Sequence, residues 1–324
     1  MAERLRIATW HADLSRDGPG LMLAEIERGS PAVTAAIEAI RALDADVVLL
    51  TGIDHDTRLV ALGVLAGRLA VAGIAYPYRF ALPPNAGVPT GMDLDGDGRR
   101  GGPRDAMGFG RFQGQGGMVL LSRLPVLAYE DYTGFLWADL PGALLPPGMS
   151  GAERAMQRLS SVNHWWVELG LPSGGRLGLL AFAATPPVFD GPEDRNGRRN
   201  HDETAFWLRL MDGALPVAPP APPFVLLGDA NLDPEDGDGR PEALQALLAD
   251  PRLQDPQPRR APGHDDPGQK GDPALDTALY PEGPGGLRVD YVLPSAGLKV
   301  LGSGLEAPVP GARHLPVWVD LDLP

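Results

Sequence analysis

Apolar residues fall into two rhythms along this chain. Residues 5–14 alternate loosely and are rich in β-compatible types, which predicts a strand running out into a loop. Val47-Val48-Leu49-Leu50 is a continuous apolar run, the mark of a strand covered on both faces. Between them Ser30-Pro31 starts a helix, because serine caps and proline fits the first turn. Ala36, Ile37, Ile40 and Leu43 follow at helical spacing. A second helix is expected over 58–71, another after His201-Asp202 with Phe206, Leu210 and Met211 on one face, and another over 241–249. Further strands are expected at 118–122, 164–171, 177–183, 224–227, 287–293 and 315–321. In the strand at 164–171, Trp165 and Trp166 must point to opposite faces. Residues 83–117 form a long Gly/Pro/Asp-rich loop, and 128–150 reads as irregular.

Strands and helices are interspersed without a strict βαβ period, so the pattern predicts a mixed-sheet α/β fold. No repeat and no shift of composition divides the chain, so residues 1–324 are expected to form a single domain. The proline-rich stretch 216–223 is a stiff connector, since strand patterning resumes at once.

Charge narrows the function classes. Lys and Arg number 28 against 42 Asp and Glu, a formal net charge of −14. Such a surface opposes the phosphate backbone of bulk nucleic acid. No apolar run is long enough for a membrane helix. There is no cysteine, which excludes disulfides, thiolate metal sites and cysteine nucleophiles. Residues 1–7 lead straight into a strand with no apolar leader. A cytoplasmic location is therefore expected, or export if a leader has been removed.

Candidate chemistry sits at strand ends. The strand 224–227 runs into Gly228-Asp229-Ala230-Asn231, placing two polar groups where α/β proteins hold ligands. Arg288-Val289-Asp290 and Arg313-His314 supply a second acid and an imidazole. Singly, each reads as a cap or turn residue. Together they form an Asp–His pair plus an Asp/Asn pair, suited to phosphoester chemistry. Asp93, Asp95 and Asp97, with Gly98 after them, match the first half of a calcium loop. Arg104 holds the twelfth position, so a Ca²⁺ loop outside the EF-hand pattern stands against a solvated acidic turn. Asp233, Asp236 and Asp238 repeat the theme more weakly. Arg198 and Arg199 could reach a phosphate or fasten their own loop, in a helix opened by Asn200 or Asp202. His55, His201 and His264 read as surface or capping residues.

The order and content of these segments resemble the endonuclease/exonuclease/phosphatase superfamily, in a bacterial branch, over nearly the whole chain. The residues that carry the likeness include Ala45 to Leu50, Arg158-Leu159-Ser160-Ser161, Thr185 to Gly191 and the three strand-end signals. The resemblance implies a four-layered α/β sandwich of two mixed sheets flanked by helices. It also implies water attack on a phosphoester assisted by Mg²⁺ or Mn²⁺. Asp229 matches the aspartate that orients water, and Asn231 the asparagine on the phosphate. Asp290 and His314 match the Asp–His pair.

Four positions depart from that pattern: His11 stands for an asparagine, Gly52 for the metal-binding glutamate, Ala183-Ala184 for a histidine, and Arg313 for an aspartate beside the metal. Mg²⁺ wants carboxylate oxygens, which Gly52 and Arg313 do not offer. Asp54 and Asp56 could replace them only if their loop moved. Two outcomes stay open. In one, the centre is degenerate and the cleft binds a phosphorylated or other anionic small molecule through Arg313, Asn231 and His314. In the other, His11, Asp229 and His314 rebuild a centre suited to Zn²⁺ or Mn²⁺.

Overall fold

The computed structural model describes residues 3–260 and 267–323. Its elements in chain order are β1 (Glu3–His11), α1 (Leu21–Arg28), α2 (Pro31–Leu43), β2 (Val47–Ile53), α3 (Val60–Val71), β3 (Tyr78–Phe80), β4 (Gly117–Ser122), β5 (Val126–Asp131), α4 (Gly151–Arg154), β6 (Asn163–Gly170), β7 (Arg176–Ala183), α5 (Arg195–Met211), β8 (Phe224–Asp229), α6 (Glu242–Leu248), β9 (Ala278–Tyr280), β10 (Gly285–Leu287), β11 (Asp290–Pro294), β12 (Lys299–Leu305) and β13 (Val317–Leu323). One sheet has the order β12-β13-β1-β2-β4-β3 and the other β11-β8-β7-β6-β5, with β9 and β10 as a separate hairpin. β1 and β2 run parallel, as do β7 and β8, while antiparallel pairs make up the rest of both sheets.

Side-chain alternation builds four layers. Ile7, Val47 and Leu49 face Trp165, Val167, Val225 and Leu227 across the space between the sheets. Trp10, Val48 and Leu50 face the other way, onto Ile26, Ile40 and Leu65 of α1, α2 and α3. Leu226 and Phe182 turn outward from the second sheet onto Phe206, Trp207 and Leu244 of α5 and α6. The continuous apolar runs are thus strands with a core on each face. Trp165 and Trp166 do split between faces, Trp165 inside the sandwich and Trp166 against the outer helices.

Several boundaries differ from the sequence reading. α2 starts as expected, with Ser30 Oγ accepting from Val33 N. β5 lies where irregular chain was expected, because its residues 127–131 are exposed at a sheet edge and carry no apolar rhythm. β12 runs unbroken but bulges between Val300 and Gly302, and its glycines leave room for Trp318, since a Cβ at Gly304 would lie 2.7 Å from that ring. α5 starts at Arg195, so neither Asn200 nor Asp202 caps it, and both are buried inside it. Arg199 is also buried, donating to the carbonyls of Arg158, Leu159 and Ser160 rather than reaching for a ligand. His264 lies outside the described residues. Among them, no helix is long and apolar enough to cross a membrane.

Candidate functional site

At one edge of the packed sheets, strand ends from both deliver polar groups to a single cleft. β8 delivers Asp229 directly opposite Asp290 of β11 in the antiparallel register. Gly228 makes this possible: its φ is +146, and a Cβ there would lie 1.9 Å from Phe182 O of the neighbouring strand. Asn231, with φ +47, turns back so that its N–H donates to Asp229 Oδ1 (2.8 Å) and its Nδ2 donates to Ala184 O (2.9 Å) and Asp229 Oδ2 (3.1 Å). β1 ends on His11. Its neighbour Trp10 donates from Nε1 to His314 O at 3.0 Å, tying the segment before β13 to the first strand.

All four expected catalytic residues come together. His314 Nδ1 lies 2.7 Å from Asp290 Oδ2, and its Nε2 lies 3.2 Å from the Tyr280 hydroxyl. An Nδ1-protonated tautomer satisfies both contacts, giving its proton to Asp290 and accepting from Tyr280. Burial and the surrounding carboxylates push the Tyr280 phenol up, so it keeps its proton. His11 stacks on His314 with ring centroids 4.6 Å apart. Its Nδ1 lies 2.9 Å from Asp229 Oδ2, and its Nε2 lies 3.5 Å from Asp13 Oδ1. Burial opposes charge on His11, but the bonds to Asp13 and Asp229 outweigh it and push the imidazole up to about 10. Asp13 is held down to about 2, its burial outweighed by His11. Arg313 is exposed at the rim and makes no ion pair among the described residues.

The cleft is about 1020 Å³ in volume, with His11, Asp13, Asp229, Asn231, Arg313 and His314 in its lining. Pro186, Val188, Phe189 and Leu287 add an apolar wall.

Sequence reasoning missed three contributors. Asp13 and Tyr280 have no motif of their own. Asn200, read as a cap, instead donates from Nδ2 to Thr185 O and Ala230 O (both 2.7 Å), fixing the chain between Asp229 and Asn231. Its burial inside a polar helix was the one signal, and it shows only in three dimensions.

The donor set can be tested against a divalent cation. Position 52 offers no donor, and its space is taken: a Cβ there would lie 2.6 Å from His11 Nε2. Asp54 accepts from Ser15 Oγ, Arg16 N and Gly116 N, and Asp56 accepts from Arg58 N, Val60 N and Ala61 N at the start of α3. Both are committed away from the cleft, so an all-oxygen Mg²⁺ shell does not fit there. His11, Asp229 and His314, by contrast, place ligand atoms within 4.8 Å of one another. Two imidazoles with a carboxylate suit Zn²⁺ or Mn²⁺ once the ion displaces the proton that Asp13 and Asp229 hold on His11. Asp93, Asp95 and Asp97 also approach one another within that distance, but they accept Gly96, Gly98, Asp97 and Arg99 N–H groups and close their own turn.

Residues 22–314 match the model of the endonuclease/exonuclease/phosphatase family. The chain belongs to that family. An endonuclease/exonuclease/phosphatase from Beutenbergia cavernae DSM 12333 is 19% identical, with a TM-score of 0.58 over 99% of this chain and 72% of that one. A family protein from Bacteroides thetaiotaomicron is 13% identical, with a TM-score of 0.56 over 100% and 99% of the two chains. Sphingomyelinase C from Streptomyces griseocarneus is 17% identical, with a TM-score of 0.53 over 99% and 100%. At such identities these likenesses speak for the four-layered fold alone. No curated protein matches the chain.

Proposed function

We propose that this family member hydrolyses a phosphoester of a small molecule at a rebuilt centre, with a borderline divalent cation such as Mn²⁺ or Zn²⁺ held by His11, Asp229 and His314. The convergence of those three side chains carries the reading. Charge supports it as well. Asp13, Asp229 and Asp290 outnumber His11 and Arg313 even with His11 protonated, so the cleft without a cation repels a phosphate dianion. A bound cation would polarise the phosphoester oxygens and neutralise developing charge. Asp229 orients water, Asp290 holds His314 in one tautomer, and Arg313 takes a non-bridging oxygen. The acidic surface and single rim guanidinium favour a small substrate over bulk nucleic acid.

A second reading rests on Arg313, whose exposed guanidinium stands without a carboxylate partner among the described residues. In that reading the centre is degenerate, and the cleft binds a phosphorylated anion with little or no turnover. One experiment separates the two. Hydrolysis of a generic phosphodiester and a phosphomonoester is followed with Mg²⁺, Mn²⁺, Zn²⁺, Ca²⁺ and EDTA, beside Asp229→Ala. Turnover with Mn²⁺ or Zn²⁺ that is lost in EDTA and in Asp229→Ala is the expected result. Turnover equal to that of the variant under every metal would overturn the hydrolase and leave the binding protein.

A further inference from the structure

The cleft that holds the ionic centre also has an apolar wall, and the loop after β7 supplies its most exposed member, Phe189. We infer that this wall is the subsite for an apolar, uncharged ester group of the substrate, and that Phe189 sets this specificity. The inference rests on the reading of the cleft as a phosphoester site.

Three features support it. The first is an aromatic ring held out in water. Phe189 lines the cleft with 77% of its surface exposed. Its φ is +72, a backbone that a bulky side chain seldom adopts. One residue of α5 holds the chain on both sides of it: Asn196 Nδ2 donates to Val188 O at 2.7 Å, and Asn196 N donates to the Asp190 carboxylate. An exposed ring and a strained backbone both cost free energy in the free protein, and strain of this kind gathers at ligand clamps. An apolar group laid on the ring removes the first cost.

The second feature is that the wall continues beyond this loop. A Cβ at Gly239 would lie 2.3 Å from Leu232 Cδ1 and 3.1 Å from Pro187 Cγ, and one at Gly237 would lie 3.6 Å from Leu287 Cδ2. The segment 237–239 therefore packs closely on these side chains, and Pro187, Leu232 and Leu287 all line the cleft with Phe189. Apolar surface of this kind beside a few convergent polar groups is the usual make-up of a small-molecule site.

The third feature is charge. Arg313 is the one lysine or arginine in the lining among the described residues. Asp238 and Glu282 are exposed in the same lining and make no ion pair among those residues. A second phosphate or a carboxylate on the substrate would meet like charge there, whereas an uncharged group would not. The lining thus selects one anionic group at the centre and an apolar group beside it.

The test is calorimetry on full-length protein with phosphonates, which resemble the ester but are not hydrolysed. Methylphosphonate, phenylphosphonate and para-carboxyphenylphosphonate are titrated with Mn²⁺ present and again in EDTA. The wild type is compared with Phe189→Ala and with Leu127→Ala, which removes another exposed apolar side chain at the β5 edge, outside the cleft lining. Phenylphosphonate should bind the wild type at least tenfold more tightly than methylphosphonate, as burial of a ring implies. The added carboxylate should remove most of that gain. Phe189→Ala should erase it while keeping the methylphosphonate affinity and the thermal midpoint, and Leu127→Ala should match the wild type. Equal binding of phenyl- and methylphosphonate by the wild type, or a phenyl preference that survives Phe189→Ala, would overturn the inference, and Mn²⁺-dependent methylphosphonate binding would then leave the centre standing. A phenyl preference lost in Phe189→Ala, with affinities unchanged by EDTA, would uphold the subsite and overturn the cation centre. No binding of any phosphonate by the wild type would overturn the subsite together with the phosphoester reading.

Discussion

His11 and Gly52 share one volume: the imidazole of the first lies 2.6 Å from where a side chain on the second would begin. The ring is fixed by Asp229 and by stacking on His314, so it cannot simply swing aside. Gly52 also has φ +67 at a bulge where β2 pairs with β4. Gly52→Glu should therefore cost about 2–4 kcal/mol, through backbone strain and overpacking together. The same change paired with His11→Asn should cost less than the sum of the singles by about 1 kcal/mol or more. Urea unfolding of the four proteins of this cycle measures the coupling, and additive costs would show that the two positions do not compete for space.

Gly228 makes a second steric demand. The neighbouring Phe182 carbonyl lies 1.9 Å from its hypothetical Cβ, and this is backbone, which cannot yield like a side chain. Gly228→Ala should destabilise the fold by roughly 3 kcal/mol or more, by forcing β7 and β8 apart just before Asp229. Thermal unfolding gives the cost, and any surviving folded protein should show Asp229-dependent turnover cut by at least tenfold.

This glycine shows what was legible in the chain and why. The Gly-Asp-Ala-Asn segment announced itself because a buried strand ended in polar residues, a local pattern. Asp290 and His314 were legible in the same way, through short motifs at strand ends. Both sheets followed from apolar runs that are covered on each face. What was hidden depends on contacts between distant segments. Asp13 gains meaning only beside His11 and Arg313, and Tyr280 only beside His314. Asn200 looked like a helix cap, because no linear pattern reveals that α5 buries its polar face against the backbone at Thr185 and Ala230. β5 escaped for the opposite reason, as an exposed edge strand with no apolar period.

Arg313 offers a prediction about binding rather than folding. It is exposed, and its guanidinium holds nothing in place among the described residues. Arg313→Ala should leave the melting temperature unchanged and raise KM for a phosphoester about tenfold, as loss of one charge-assisted hydrogen bond implies. A kcat that fell while KM held would instead place Arg313 on charge that develops only in the transition state. Arg313→Lys should recover part of the loss, since a point charge keeps the attraction without the two-pronged geometry.

The last prediction concerns pH and a histidine far from the cleft's chemistry. His164 is buried, with Nδ1 2.9 Å from Ser160 Oγ and Nε2 2.9 Å from Glu203 O. The Nε2–H donates to that carbonyl and Nδ1 accepts from the serine, so the native fold holds the neutral ring. Burial, with the Arg199 charge adding to it, lowers the imidazole to about 4. An unfolded histidine titrates near 6.5. Between these values the unfolded chain carries the extra proton, so stability falls as pH drops through the window and is level above it. At about 1.4 kcal/mol per unit, the loss from pH 7 to pH 4 is about 3 kcal/mol. Glu203 shifts the other way, because burial favours its neutral form, and its contribution partly masks the slope. The difference between wild type and His164→Gln isolates the histidine, since glutamine can donate and accept without titrating. Urea unfolding at pH 7, 6, 5 and 4.5 should show the stability gap between them narrowing steadily on acidification. A gap constant across that range would mean that His164 takes up its proton at the same pH in the native and unfolded protein, with Ser160 Oγ then accepting from the charged ring.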